Sequence, residues 1–133
     1  AAGFQPGSRA FFIWEGVTNY LSEEAVNRTL RFVASTLPGN RIVFTYVHKD
    51  VLTDLNSRGN LRGVARTLQK AGEPWTFGFD PIELPVYLHE RGLRLLEDIG
   101  SVEYPSRYMG SSPRVLNGYE FYRIAVAEVI ATR

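Results

Sequence analysis

Residues 10–21, AFFIWEGVTNYL, constrain this chain more than any other stretch. An unbroken apolar run ends at Glu15 and Gly16 and gives way at Ser22 to a helical pattern. A strand buried on both faces needs such a run, and it delivers the polar residues that follow to the carboxyl edge of a parallel sheet. In open α/β sheets that edge is where ligands bind. A carboxylate directly after Phe-Phe-Ile-Trp is costly unless it meets solvent, a donor or a cation. Glu15 is therefore the first candidate for a ligand-facing residue, the alternative being a bond to the amino end of the helix that follows. Gly16 either admits a close backbone approach or simply turns the chain.

The segments that follow give this strand its neighbours. Ser22 is placed to cap a helix, Glu23 and Glu24 complement its dipole, and Leu21 can staple onto Val26. Val26, Leu30, Val33 and Leu37 recur at four-three-four spacing, which predicts one face on a sheet, and Pro38-Gly39-Asn40 ends the helix. Residues 41–47, RIVFTYV, form a second β-branched and aromatic run. Strand, helix and strand at this spacing predict a right-handed parallel unit, with Tyr46 and His48 beside the end of the first strand.

Residues 49–72 carry a helical pattern interrupted at Gly59 and Asn60, and residues 73–79, EPWTFGF, read as an aromatic connector. Asp80, Pro81 and Glu83 fit the N-cap, N1 and N3 positions of a helix reaching about Glu90, in which Pro85 must distort the first turns or move the start. After Gly92, residues 93–99 predict a third strand. Residues 101–109 predict a short helical piece, 110–118 a loop, and 119–130 a long final strand. The short connection before that last strand permits an antiparallel return without compelling it.

Composition narrows the chemistry. At 133 residues the chain suits one domain with a single core, and a net charge of +1 gives no pull toward nucleic acid or a membrane surface. There are no cysteines and only two histidines, His48 and His89, so neither a thiolate site nor a histidine-rich metal site is available and no metal is expected. No apolar run approaches the roughly 20 residues of a membrane span, and the amino end lacks a basic segment followed by a hydrophobic one. A cytoplasmic location is the default expectation.

FIWEGVTNYLSEEAV, then RIVFTYVH, GEPWTFGFDP, a helix ending in ERG, LRLLEDIG and finally YEFYRIAVAE together resemble the carboxyl-terminal half of the leucine carboxyl methyltransferase family. The likeness is greatest to its bacterial branch of S-adenosylmethionine-dependent O-methyltransferases, and it runs from about Arg9 onward. The resemblance implies an α/β class I (Rossmann-like) methyltransferase fold, here a four-stranded mixed sheet with flanking helices. Its last strand would be inserted antiparallel between its two predecessors. Residues 1–8 would be a loose lead-in and 9–133 the second half of the domain. The glycine-rich loop and the acidic ribose contact of the family's first half have no counterpart, since no G-x-G pattern occurs in the chain.

The resemblance further implies S-adenosylmethionine as cofactor, with Glu15 accepting from the amino group of its methionine part and Gly16 beside it. Tyr20 would line the methyl-transfer pocket, or else pack with its hydroxyl at the surface. His48 is a candidate general base for a hydroxyl or carboxyl acceptor, against the reading of an exposed loop histidine beside Lys49 and Asp50. Tyr46, at the end of the neighbouring strand, is a candidate substrate contact. Trp75, with Phe77 and Phe79, would wall an acceptor site or pack a connector. Arg107 and Tyr108 resemble a pair in the family's segment before its last strand, and an exposed arginine explains them as well. His89 receives no role, and adjacent Glu97 and Asp98 point to opposite strand faces and make a poor acid/base pair.

Without a first half, residues 11–14 become an exposed apolar sheet edge. Self-association through that edge, or a missing amino-terminal half, is the expected partner besides a small-molecule acceptor. A non-catalytic half-domain serving as an interaction module is the alternative function. A response-regulator-like binding domain is disfavoured because Glu15 stands alone at the strand ends.

Overall fold

The computed structural model describes residues 4–5, 7–56, 75–100 and 122–131, with backbone alone for 53–56. Four strands, β1 (Phe11–Trp14), β2 (Arg41–Val47), β3 (Leu93–Gly100) and β4 (Tyr122–Val129), form one sheet in the order β1-β2-β4-β3. β1 and β2 are parallel, and β4 runs antiparallel to both β2 and β3. The carboxyl ends of β1, β2 and β3 and the amino end of β4 therefore share one edge. The antiparallel last strand sits between its two predecessors, as the resemblance implies.

Helix α1 (Glu23–Ala34) links β1 to β2 and starts as its sequence dictates, with Ser22 Oγ accepting from the Ala25 amide at 3.2 Å. It stops at Ala34, short of Leu37, and the chain turns through Gly39 at φ +88°. Val26, Leu30 and Val33 of α1 pack with Ile42, Phe44 and Tyr46 of β2 and Ala125, Ala127 and Val129 of β4. Helix α2 (Lys49–Asn56) follows β2 directly.

Helix α3 (Leu84–His89) adds Leu84 and Leu88 to the same core, and it begins later than the capping-box pattern predicts. A start at Pro81 would place Pro85 where its missing N–H and its ring oppose the preceding turn. The chain instead makes a turn at Asp80, whose Oδ1 accepts from the Ile82 amide, and Pro85 falls in the first helical turn, where an N–H is dispensable. The Glu83 carboxylate reaches Lys49 Nζ at 3.3 Å rather than folding back as a cap.

α1 and α3 cover one face of the sheet. On the other face Phe11 and Ile13 are 60% and 72% exposed, so β1 is not covered on both sides as its unbroken apolar run predicts. Phe12 and Trp14 do pack against the helix-covered core. Among the described residues β1 also bonds only to β2, which makes it an edge of the described sheet. A bulge between Leu95 and Glu97 shifts the register of β3, so Asp98 pairs with Ala125 and lies on the helix-covered side, while Glu97 pairs with Val126 on the open side. Residues 57–74 and 101–121, including the second part of the predicted 49–72 helix and both Arg107 and Tyr108, lie outside the described residues. Among the described residues no helix is long and apolar enough to cross a membrane.

Candidate functional site at the carboxyl edge of the sheet

The chain leaves β1 through Glu15 and Gly16 and enters a 3-10 turn at Thr18–Tyr20. Gly16 has φ +69°, and nothing lies within 4 Å of where a side chain would begin. Its glycine therefore serves the turn rather than a close approach. Its amide is already engaged, donating to Thr45 Oγ1 at 2.6 Å, while Thr18 Oγ1 donates to the Thr45 carbonyl at 2.7 Å. Thr45 thus clamps the end of β1 to β2. The sequence offered no signal for it beyond a polar residue in an apolar strand.

Glu15 is exposed and has no hydrogen bond or ion pair among the described residues. It does not cap α1, whose amino end is served by Ser22, and it meets solvent. It borders a groove of about 320 Å³ on the open face, lined also by Ile13, Val43, Thr45, Ile99 and Val126. A carboxylate in that position is free to accept donors from a ligand.

Thr18 and Asn19 are fully buried. Asn19 Nδ2 donates to Tyr122 Oη at 3.1 Å and its carbonyl accepts from the Thr76 amide at 2.7 Å. Its side-chain Oδ1 is buried without a partner among the described residues. The turn is thereby tied to β4 and to the aromatic connector, where Trp75 meets the Tyr122 ring edge-on at 5.8 Å. Tyr20 stands at the surface, 38% exposed.

Tyr46 lies fully buried in the core. Its hydroxyl donates to Asp98 Oδ2 at 2.8 Å and accepts from Arg123 Nε at 3.2 Å, and Arg123 Nε also reaches Asp98 Oδ1 at 3.1 Å. Burial, then the Asp98 hydrogen bond and charge, push the phenol far above the ordinary tyrosine value. Burial alone would lower the Arg123 value, but the hydrogen bond and charge of Asp98 outweigh it and raise it. Tyr46 thus ties β2 to β3 across β4 and has no hydroxyl left over for a substrate. Sequence reasoning missed Asp98 and Arg123 because their meeting depends on strand order and on the β3 bulge.

His48 forms an isolated parallel bridge with Phe79, and its Nδ1 accepts from the Asp50 amide at 3.1 Å at the start of α2. With Nδ1 accepting, the neutral ring carries its proton on Nε2, so His48 would meet a ligand as a donor rather than as a base. Phe77 and Phe79 contact each other edge-on at 4.8 Å, and Phe79 contacts Tyr87 at 5.0 Å, as packing of the connector on the core requires. The structure brings the ends of β1 and β2 together as the sequence predicts, with Glu15 open to solvent and Tyr46 closed off.

The fold is a Rossmann-like α/β sheet of mixed strand direction, with its polar turns gathered at one edge. Residues 1–34 match the model of the family described as leucine carboxyl methyltransferase, which places β1, Glu15 and Gly16 inside the matching segment. The match stops at Ala34, so the resemblance traced from residue 9 through the last strand is carried by the family model only over its first part. Among solved structures, TnmH aligns over 94% of this chain and 32% of its own, at 16% identity and a TM-score of 0.54. A possible exported protein from Bordetella parapertussis aligns over 96% of this chain and 42% of its own, at 14% identity and a TM-score of 0.52. At such identities the likeness is one of fold, and this chain spans less than half the length of either structure. No curated protein matches it.

Proposed function

We propose that this chain forms one wall of an S-adenosylmethionine-dependent O-methyltransferase, acting on a small-molecule acceptor. The observation that carries the reading is Glu15: an exposed carboxylate, unpartnered among the described residues, at the carboxyl end of β1 and within the segment that matches the methyltransferase family. An ammonium group suits such a carboxylate, which gives up no existing ion pair on accepting it. The Glu15 side chain, rather than the Gly16 amide already held by Thr45, is the contact to the cofactor. When bound, the cofactor supplies an electrophilic methyl group.

The part left to these residues is positioning, which favours transfer by holding donor and acceptor in line. The acceptor side of the crevice is assigned to Tyr20 and Trp75, together with Arg107 and Tyr108 outside the described residues. His48 orients an acceptor oxygen by donating from Nε2. Because the chain has no G-x-G loop, cofactor binding by these 133 residues alone is expected to be weak.

Titration calorimetry with S-adenosylmethionine tests the reading. Loss of a charge-assisted hydrogen bond predicts that Glu15→Gln weakens binding by about tenfold. Equal affinity for the two proteins, or no binding at millimolar cofactor, would sink it.

A second reading, a non-catalytic interaction module, is favoured by one observation, the open face bearing Phe11 and Ile13. Cofactor binding unaffected by any change at Glu15 would leave that reading standing.

A further inference from the structure

The strand pairing of β1 with β2 ends at Trp14 and Phe44, one residue short of Glu15. Continued by one step, the parallel register would set Glu15 beside Thr45. The side chain of Thr45 takes over at that point, its Oγ1 accepting from the Gly16 amide at 2.6 Å, while the Thr45 carbonyl accepts from Thr18 Oγ1 at 2.7 Å. The two bonds fall on either side of Val17 and bracket the turn. Thr45 is itself held firmly, since β2 lies between β1 and β4 and Thr45 sits opposite Ile124 of β4.

The two ends of this bracket hold different things. Thr18 is fully buried and is kept in place by its packing. Gly16 has φ +69° and no atom within 4 Å of where a side chain would begin, so nothing confines it sterically. A glycine in open space has the widest choice of backbone conformations. Among the described residues, the hydroxyl of Thr45 makes the one side-chain bond to residues 15–17, and Glu15 makes none of its own.

We infer that Thr45 is a positioning residue, whose hydroxyl fixes the Gly16 amide and with it the Glu15 carboxylate that accepts from the cofactor's ammonium group. This deepens, and rests on, the reading of Glu15 as the cofactor contact. Without the hydroxyl, residues 15–17 have to be ordered as the ligand binds, and ordering one residue of backbone weakens binding by about tenfold. Thr45→Val puts a methyl group in place of the hydroxyl on a groove wall already made of Val43, Ile99 and Val126, so the strand keeps its packing.

Two measurements on the 133-residue protein test the inference. Exchange of the Gly16 amide, followed without ligand, should be about tenfold faster in Thr45→Val, return to the original rate in Thr45→Ser, and stay unchanged in Glu15→Gln. In calorimetric titration with S-adenosylmethionine, Thr45→Val should weaken binding by about tenfold and Thr45→Ser should restore it. Added to Glu15→Gln, the same Thr45→Val change should cost less than about threefold, because the carboxylate it positions is no longer there. An equal loss in both backgrounds would overturn the inference, since the hydroxyl would then act apart from Glu15. So would an unaltered Gly16 exchange rate in Thr45→Val, or wild-type affinity in Thr45→Val beside weakened binding in Glu15→Gln, and the latter pattern leaves the cofactor reading standing. Unchanged affinity in Glu15→Gln, or no binding at millimolar cofactor, would remove the cofactor reading and the positioning role with it.

Discussion

Replacing Asp98 with alanine tests the internal tie that sets the geometry of the carboxyl edge. The carboxylate accepts from Tyr46 Oη at 2.8 Å and from Arg123 Nε at 3.1 Å, and its side chain is only 11% exposed. Its removal leaves the Tyr46 proton without an acceptor in a fully buried site and leaves Arg123 without its counter-ion. Breaking a buried pair from one side costs about 3–5 kcal/mol. Arg123 is 30% exposed and water can solvate part of its charge, which brings the expectation to about 2–4 kcal/mol. At about 4 °C per kcal/mol for a domain of this size, the melting temperature should fall by about 8–16 °C. Tyr46→Phe should cost only about 1 kcal/mol, because the arginine–carboxylate pair survives it. The assay is urea unfolding of both single variants and the double variant, with the m-value checked for constancy. The double variant should cost less than the sum of the singles, since the hydroxyl has nothing to donate to once the carboxylate is gone. An Asp98→Ala loss below about 0.5 kcal/mol, or strict additivity, would refute the reasoning.

Further predictions concern titration, a close approach and a helix cap. The Tyr46 phenol is raised above its ordinary value in the folded chain, so its contribution is fully present below the unfolded tyrosine value of 10.0 and is lost as pH rises toward the folded value. Stability should therefore fall above about pH 10 in thermal melts, and less steeply in Tyr46→Phe. Burial raises the Tyr87 phenol as well, so some alkaline loss should persist in that variant. At Gly78 a side chain would begin 2.8 Å from the Lys49 Cα and the Val47 carbonyl, so Gly78→Ala should separate the His48–Phe79 bridge and cost about 1–3 kcal/mol by denaturant titration. Ser22→Ala should lower stability by about 1 kcal/mol by the same measurement, through loss of the α1 cap.

Local chemistry made much of the fold legible. The cap, acidic first turn and apolar spacing of α1 are written within 13 residues, and β2 coincides with the run of β-branched and aromatic residues at 41–47. The polar groups at the end of β1 follow from the same kind of pattern. What the sequence hid depends on distant partners. Thr45 matters because β1 pairs with β2 in a register that brings Gly16 to it, and Tyr46 is closed off by two residues from strands more than fifty positions away. The apolar run of β1 describes a strand with two covered faces, and the described residues cover only one of them, so its hydrophobicity exceeds its burial. In α3 the proline rule was known to act on the start, but only the observed turn at Asp80 shows how the chain yielded to it.

The β3 bulge has a consequence for anyone redesigning this strand. Ahead of it the odd-numbered Leu93 and Leu95 face the helices, and after it the even-numbered Asp98 does. The strand thus carries two phases joined at a single spare residue, Leu96, and a regular two-residue repeat assigns inside and outside backwards for its second half. A charge reversal intended for solvent at position 98 would strike the Tyr46–Arg123 anchor, whereas the same change at position 97 would fall on the open groove.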